Sequence, residues 1–159
     1  MNKYMEVAKD LALENLSTNN GGPFGACVVK DGKIIGKGYN MVLGTNDPTA
    51  HAEIVAIRDA CKNIGSYDLT GCELYATSYP CPMCLSAIIW ANIKMVYYGN
   101  NVSDAADIGF RDEYVYDYIK GTNKDAIKLE TMDREETIKI FNEYKEKQDK
   151  VIYWYKKHI

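Results

Sequence analysis

A chain of 159 residues, 47% hydrophobic and 26% charged, has room for one core and reads as globular rather than disordered. Its net charge of −3, with nine Lys/Arg against eight Asp/Glu from Gly121 to Ile159, offers no basic stripe and disfavours a nucleic-acid partner. No apolar run approaches the roughly 20 residues of a membrane span, and the opening "MNKYMEVAKDLALENL" lacks a secretory pattern. With five cysteines, an odd count, free thiols in a cytoplasmic protein are expected.

In chain order, residues 2–17 carry Tyr4, Ala8, Leu11, Ala12 and Leu16 at helical spacing. "NNGGPFG" ends that helix, and "FGACVVKDGKIIGKGYN" predicts a hairpin turning at Asp31-Gly32. After the loop "GTNDPT", Thr49 to Ile64 predicts a helix, with Gly65 at the left-handed cap position. "CELYATS" predicts a strand running into a cysteine loop, and Pro82 to Ala91 a helix with proline in its first turn. "KMVYYGN" predicts another strand. Short helices are expected over "SDAADIGF" and "DEYVYDYI", then a polar helix over "DREETIKIFNEYKEKQDK". Strands alternating with helices imply an α/β/α sandwich, a three-layer α/β fold with a mixed sheet covered on both faces. One domain over 1–159 is expected.

The chemistry gathers at "TSYPCPMCLSAIIWA", which sets Cys81 and Cys84 three positions apart. Such a pair can clip a metal, form a redox couple or simply pack. Of the two histidines, His158 is next to the end and His51 opens the helix "PTAHAEIVAIRDA". One His and two Cys make three ligands, the count for a catalytic zinc with one open position. His51 in a first helical turn, and Cys81 and Cys84 at the start of another helix, would meet where two positive helix ends favour thiolate. Glu53 is two positions from His51, free to reach the open position as a proton acceptor. The competing readings are weaker. Inert packing or a redox pair leaves His-x-Glu without a task, and a structural zinc needs a fourth ligand. Cys72, the nearest candidate, begins a strand and points elsewhere. Cys27 and Cys61 fall on apolar faces.

His51-Ala52-Glu53 followed by Pro80-Cys81-Pro82-Met83-Cys84 resembles the H-x-E…P-C-x-x-C signature of zinc base deaminases. With "GGPFGACVVKDG", "NDPTAHAEIVAIR", "YPCPMCLSAIIWA" and "SDAADIGFRDEYVY", most of residues 20–118 is similar to bacterial guanine deaminases of the cytidine-deaminase-like superfamily. The resemblance implies zinc as cofactor, hydrolysis of guanine to xanthine and ammonia, and a homodimer. In that dimer, residues 121–159 are a C-terminal segment exchanged between subunits. It also implies a base-binding set: Asn40 as anchor, Phe24 as stacking ring, Ala52 and Trp90 on the pocket wall, Asp112 on the purine's polar edge, and Tyr153, or Tyr155 next, from the exchanged segment. Without the resemblance, Asn40 reads as a turn residue, Phe24 and Trp90 as buried apolar residues, and Tyr153 as an interface residue. Arg111 stands where another acid is expected, and a cation there would pair with Asp112 and lower its pKa. The rivals are deamination of another free base or small aminated heterocycle, tRNA adenosine deamination, and a non-catalytic zinc domain.

Overall fold

The computed structural model describes residues 1–153, which fall into two compact units, one over 1–123 and one from Lys124 onward. In the first, the elements are α1 (Lys3–Glu14), a 3-10 turn (Asn15–Ser17), β1 (Gly25–Lys30), β2 (Lys33–Tyr39), α2 (Ala52–Ile64), β3 (Glu73–Ser78), α3 (Pro82–Trp90), β4 (Met95–Asn100), α4 (Val102–Asp107) and α5 (Glu113–Lys120). The second carries α6 (Arg134–Glu146), none of whose residues is buried. Trp154 and Tyr155, and with them His158, lie outside the described residues.

The four strands form one sheet in the order β2-β1-β3-β4. β1 is antiparallel to both of its neighbours, and β3 is parallel to β4. The β1–β2 turn is built by Asp31 and Gly32, both at positive φ (49° and 77°), the conformation that matches a tight hairpin to the strands' twist. Alternation along β1 splits the core. Ala26 and Val28 face Ala52, Ala56, Ala60 and Ile88 of α2 and α3. Cys27 and Val29, with Tyr75, face Tyr4, Met5 and Val7 of α1. Helices therefore cover both faces, as the sequence pattern implies. α2 rides close on β2 because glycines stand beneath it: a Cβ on Gly36 or Gly38 would come within 2.4 Å of the Ala56 carbonyl or 2.5 Å of the Ala52 carbonyl.

Two helix boundaries show what local sequence decides. Gly65 caps α2 in the left-handed region (φ 66°), with the Ser66 N–H donating to the Cys61 carbonyl at 3.1 Å. At the other end, α2 begins at Ala52 and not at Thr49. Asp47 accepts from the Thr49 N–H (2.8 Å) and hydroxyl (2.7 Å), holding a turn that keeps the chain out of the helix until His51. His51 is thus the N-cap residue, with extended backbone, rather than a member of the first turn.

The strand order positions the site. Because β1 runs antiparallel to β2 and β3, those two strands point the same way, and β4 runs with β3. The chain leaving β2, β3 and β4, and the chain entering β1, therefore meet at one edge of the sheet. That edge gathers Gly21–Phe24, Asn40–His51, Ser78–Cys81 and residues 101–112, the place where open α/β sheets bind ligands.

Candidate active site

The starts of α2 and α3 bring three soft donors together. His51 Nδ1 lies 3.5 Å from Cys81 Sγ and 3.6 Å from Cys84 Sγ, and the three ligand atoms lie within 4.8 Å of one another. A tetrahedral zinc with Zn–S near 2.3 Å and Zn–N near 2.05 Å requires N···S separations of about 3.6 Å. The donor set therefore fits a zinc ion in both chemistry and spacing. Cys81 caps α3, its sulfur accepting from the Cys84 N–H at 3.4 Å. Donation from Cys84, and after it the His51 ring, brings the Cys81 thiol down to about 4. The Cys84 thiol is pushed up by the neighbouring Cys81 sulfur, by burial and by the Glu53 carboxylate. A bound dication would balance the charge of both thiolates.

Glu53, 6% exposed, sits in the first turn of α2 against this cluster, and burial raises its pKa. Beside it opens a cleft of about 340 Å³, whose lining includes Phe24, Asn40, His51, Ala52, Glu53 and Asp112. Asn40 follows directly on β2, its N–H donating to the Phe24 carbonyl at 3.1 Å. Its side-chain Oδ1 accepts from the Val42 N–H at 3.1 Å, which orients the amide and leaves Nδ2 to donate. Gly21 packs directly on that amide; any Cβ there would fall 2.0 Å from Oδ1. Asp112 is half-buried, and burial and the nearby Cys81 charge raise its pKa.

Trp90 and Arg111 stand elsewhere than expected. Trp90 ends α3, 56% exposed and off the cleft wall. The cleft meets the start of that nine-residue helix, and at 1.5 Å rise per residue its last position is about 12 Å away. Arg111 pairs with Glu113 at 3.6 Å rather than with Asp112, so the acid is not held low by it. Tyr153 belongs to the second unit and is 61% exposed.

Several contributors were not among the expected site residues. Phe110 lines the cleft and meets Phe24 edge to face, ring centroids 4.9 Å apart. It lies within the stretch "SDAADIGFRDEYVY" that carries the resemblance, but was not among the expected site residues. Asn15, buried just past the end of α1, donates through Nδ2 to the carbonyls of Gly22 and Asn40, each at 2.7 Å. It pins the two loops that form the floor and wall of the cleft. The Tyr116 hydroxyl donates to the Pro80 carbonyl at 2.7 Å, tying α5 to the cysteine loop.

Residues 1–100 match the family model of the cytidine and deoxycytidylate deaminase zinc-binding region. The chain belongs to this deaminase family. Zinc is accordingly its cofactor, and His51, Cys81 and Cys84 are the group that fits it. Among related deaminases, the guanine deaminase of Bacillus subtilis is 52% identical over 113 residues, 71% of this chain and 72% of that protein. The crystal structure of the Bacillus subtilis guanine deaminase superposes with a TM-score of 0.90 at 43% identity, covering 96% of this chain and 99% of that one. A tRNA-specific adenosine deaminase of Buchnera aphidicola is 42% identical over 122 residues, 77% of this chain and 79% of that protein. Among the described residues of this deaminase, no helix is long and apolar enough to cross a membrane.

Proposed function

We propose that this deaminase hydrolyses guanine, consuming one water and yielding xanthine and ammonia. The observation that carries the reading is the placement of Asp112 and Asn40 in one small cleft with Glu53. Guanine presents ring N–H donors that a carboxylate accepts and a carbonyl that an amide N–H can meet. Adenine presents mainly acceptors along the same edge, so an acid discriminates against it. A cleft of about 340 Å³ is at the small end of ligand pockets, which suits a free base.

When bound, zinc supplies the Lewis acidity that makes water a nucleophile at neutral pH. Glu53 takes the proton of the attacking water, delivers it to the ring nitrogen beside the amino-bearing carbon, and returns a second proton to the departing amine. One carboxylate serves both transfers because they occur in sequence. Asn40 donates through Nδ2 to the base, Asp112 accepts from its ring N–H, and Ala52 lies on the wall beside it. Phe24 presents its ring to the flat face of the purine, a contact of about 1–3 kcal/mol per base, and Phe110 backs that ring edge to face.

The Buchnera relative favours adenosine in tRNA as a second reading, against which stands the balanced charge of residues 121–159. Ammonia release from guanine, guanosine, adenine, cytosine and tRNA, before and after chelation, separates the two: release from guanine alone is expected, and release from tRNA with none from guanine would overturn the assignment. The enzyme works as a homodimer, a reading supported by Met95, Tyr97 and Tyr98 exposed along the edge strand β4. In that dimer, Tyr153 reaches the partner's cleft from an exchanged C-terminal segment. Light scattering in solution tests the assembly. Five free cysteines fit a reducing, cytoplasmic setting.

A further inference from the structure

Ser78 is the last residue of β3, 3% exposed, and it lines the same cleft as Glu53, Asn40 and Asp112. Along β3, Leu74 and Ala76 face α2 and α3, and strand alternation puts the Ser78 side chain on that same face, beneath the two helix starts that carry His51, Glu53 and the cysteines. Its Oγ is fully buried and has no hydrogen-bond partner among the described residues. Its neighbour Thr77, on the opposite face, accepts from the Gly25 N–H at 3.1 Å and is satisfied. A buried hydroxyl left unpaired is costly, and in a folded protein it calls for a partner that arrives with function. A serine Oγ moves between staggered positions about a single bond, so a rotamer change carries it toward the cleft without moving the strand.

We propose that the Ser78 hydroxyl is a further substrate-contacting residue, accepting a hydrogen bond from the amino group that the reaction removes. This rests on the guanine reading above. The carbon under attack has to lie against Glu53 and the three-ligand cluster, which puts the substituent on that carbon in the cleft that Ser78 and Glu53 both line. An N–H of that amino group supplies the donor that Oγ lacks.

The test is Ser78→Ala in the zinc-loaded enzyme, with guanine as substrate and hypoxanthine, the same ring system without the 2-amino group, as competitive inhibitor. Expected is a five- to tenfold fall in kcat/KM on guanine, the size of one neutral hydrogen bond. The hypoxanthine Ki stays within twofold of wild type, and zinc content is unchanged. The melting temperature holds or rises, because the variant removes a polar atom that the fold itself does not pair. An unchanged kcat/KM, or a hypoxanthine Ki weakened as much as guanine turnover, overturns the contact. So does an activity loss accompanied by a lowered melting temperature, which marks a structural hydroxyl. Wild-type enzyme inert toward guanine defeats the substrate reading itself, a result visible before any variant is made.

Discussion

Alanine at Gly21 is expected to remove most of the activity while leaving the zinc ligands untouched. The added Cβ falls 2.0 Å from Asn40 Oδ1, 2.8 Å from Asn40 Cγ and 2.8 Å from the Asn40 carbonyl oxygen. Gly21 is not among the positive-φ residues, so the backbone accepts alanine and the clash is the whole effect. Ordinary van der Waals contact requires the amide to retreat by about 1 Å or more. That breaks the 3.1 Å bond from the Val42 N–H and turns Nδ2 away from the base. A misplacement of about 1 Å in a positioning group costs on the order of 10²-fold in rate. Losing that part-buried hydrogen bond costs about 1 kcal/mol, a fall of a few degrees in melting temperature. Steady-state kcat/KM on guanine, with zinc content and a melting curve on the same preparation, reads all three. A variant within threefold of wild type would refute the anchoring role of the Asn40 amide. The double variant sharpens this: in an Asn40→Ala background, Gly21→Ala has no amide to displace and keeps only the 2.8 Å contact with the residue-40 carbonyl, so it is expected to cost less there than in the wild-type background.

Glu53→Gln keeps the shape of the site and removes the proton acceptor. Zinc content stays stoichiometric and turnover falls by about 10²–10⁴ or more, and robust activity in that variant rules out the shuttle role. Removing zinc with a chelator is expected to abolish ammonia release and lower the melting temperature, both restored by adding zinc back; melting unaffected by chelation would contradict a site formed by His51, Cys81 and Cys84. Asp47 has its pKa lowered by hydrogen bonds from Thr49 and by Arg58, so its contribution to holding the loop before His51 is present at neutral pH and disappears as acid protonates it. Asp47→Ala should therefore melt below wild type at pH 7, with the gap closing as the pH falls below the ordinary aspartate value near 4; a gap independent of pH would mean the loop does not depend on that charge.

The zinc ligands were legible because each is fixed by short-range pattern. Two cysteines three apart beside a proline set a helix start, and His-x-Glu at another helix start sets a ligand and an acid two positions apart. The Asp31-Gly32 turn and the Gly65 cap follow from backbone preferences of single residues. Other assignments depended on distance in space. The resemblance to guanine deaminases set Trp90 on the pocket wall, but it shares a helix with Cys84 and helix length carries it to the far end. Arg111 adjoins Asp112 in sequence yet reaches Glu113 instead, because neighbouring side chains diverge at the start of α5.

By itself, the amino-acid order determined the metal-binding donor set, the placing of an acid beside it, the hairpin and the layered α/β class, since all of these are written in spacings of one to a few residues. Only the folded sheet decided which other groups share the cleft. With β1 placed between β2 and β3 and antiparallel to both, four distant connections converge on one edge. That convergence brings Asn15 to Asn40, Phe110 to Phe24 and Ser78 beneath Glu53's helix. Such contacts span 25 to 86 residues of chain, and no local periodicity encodes which of them strand pairing will bring together.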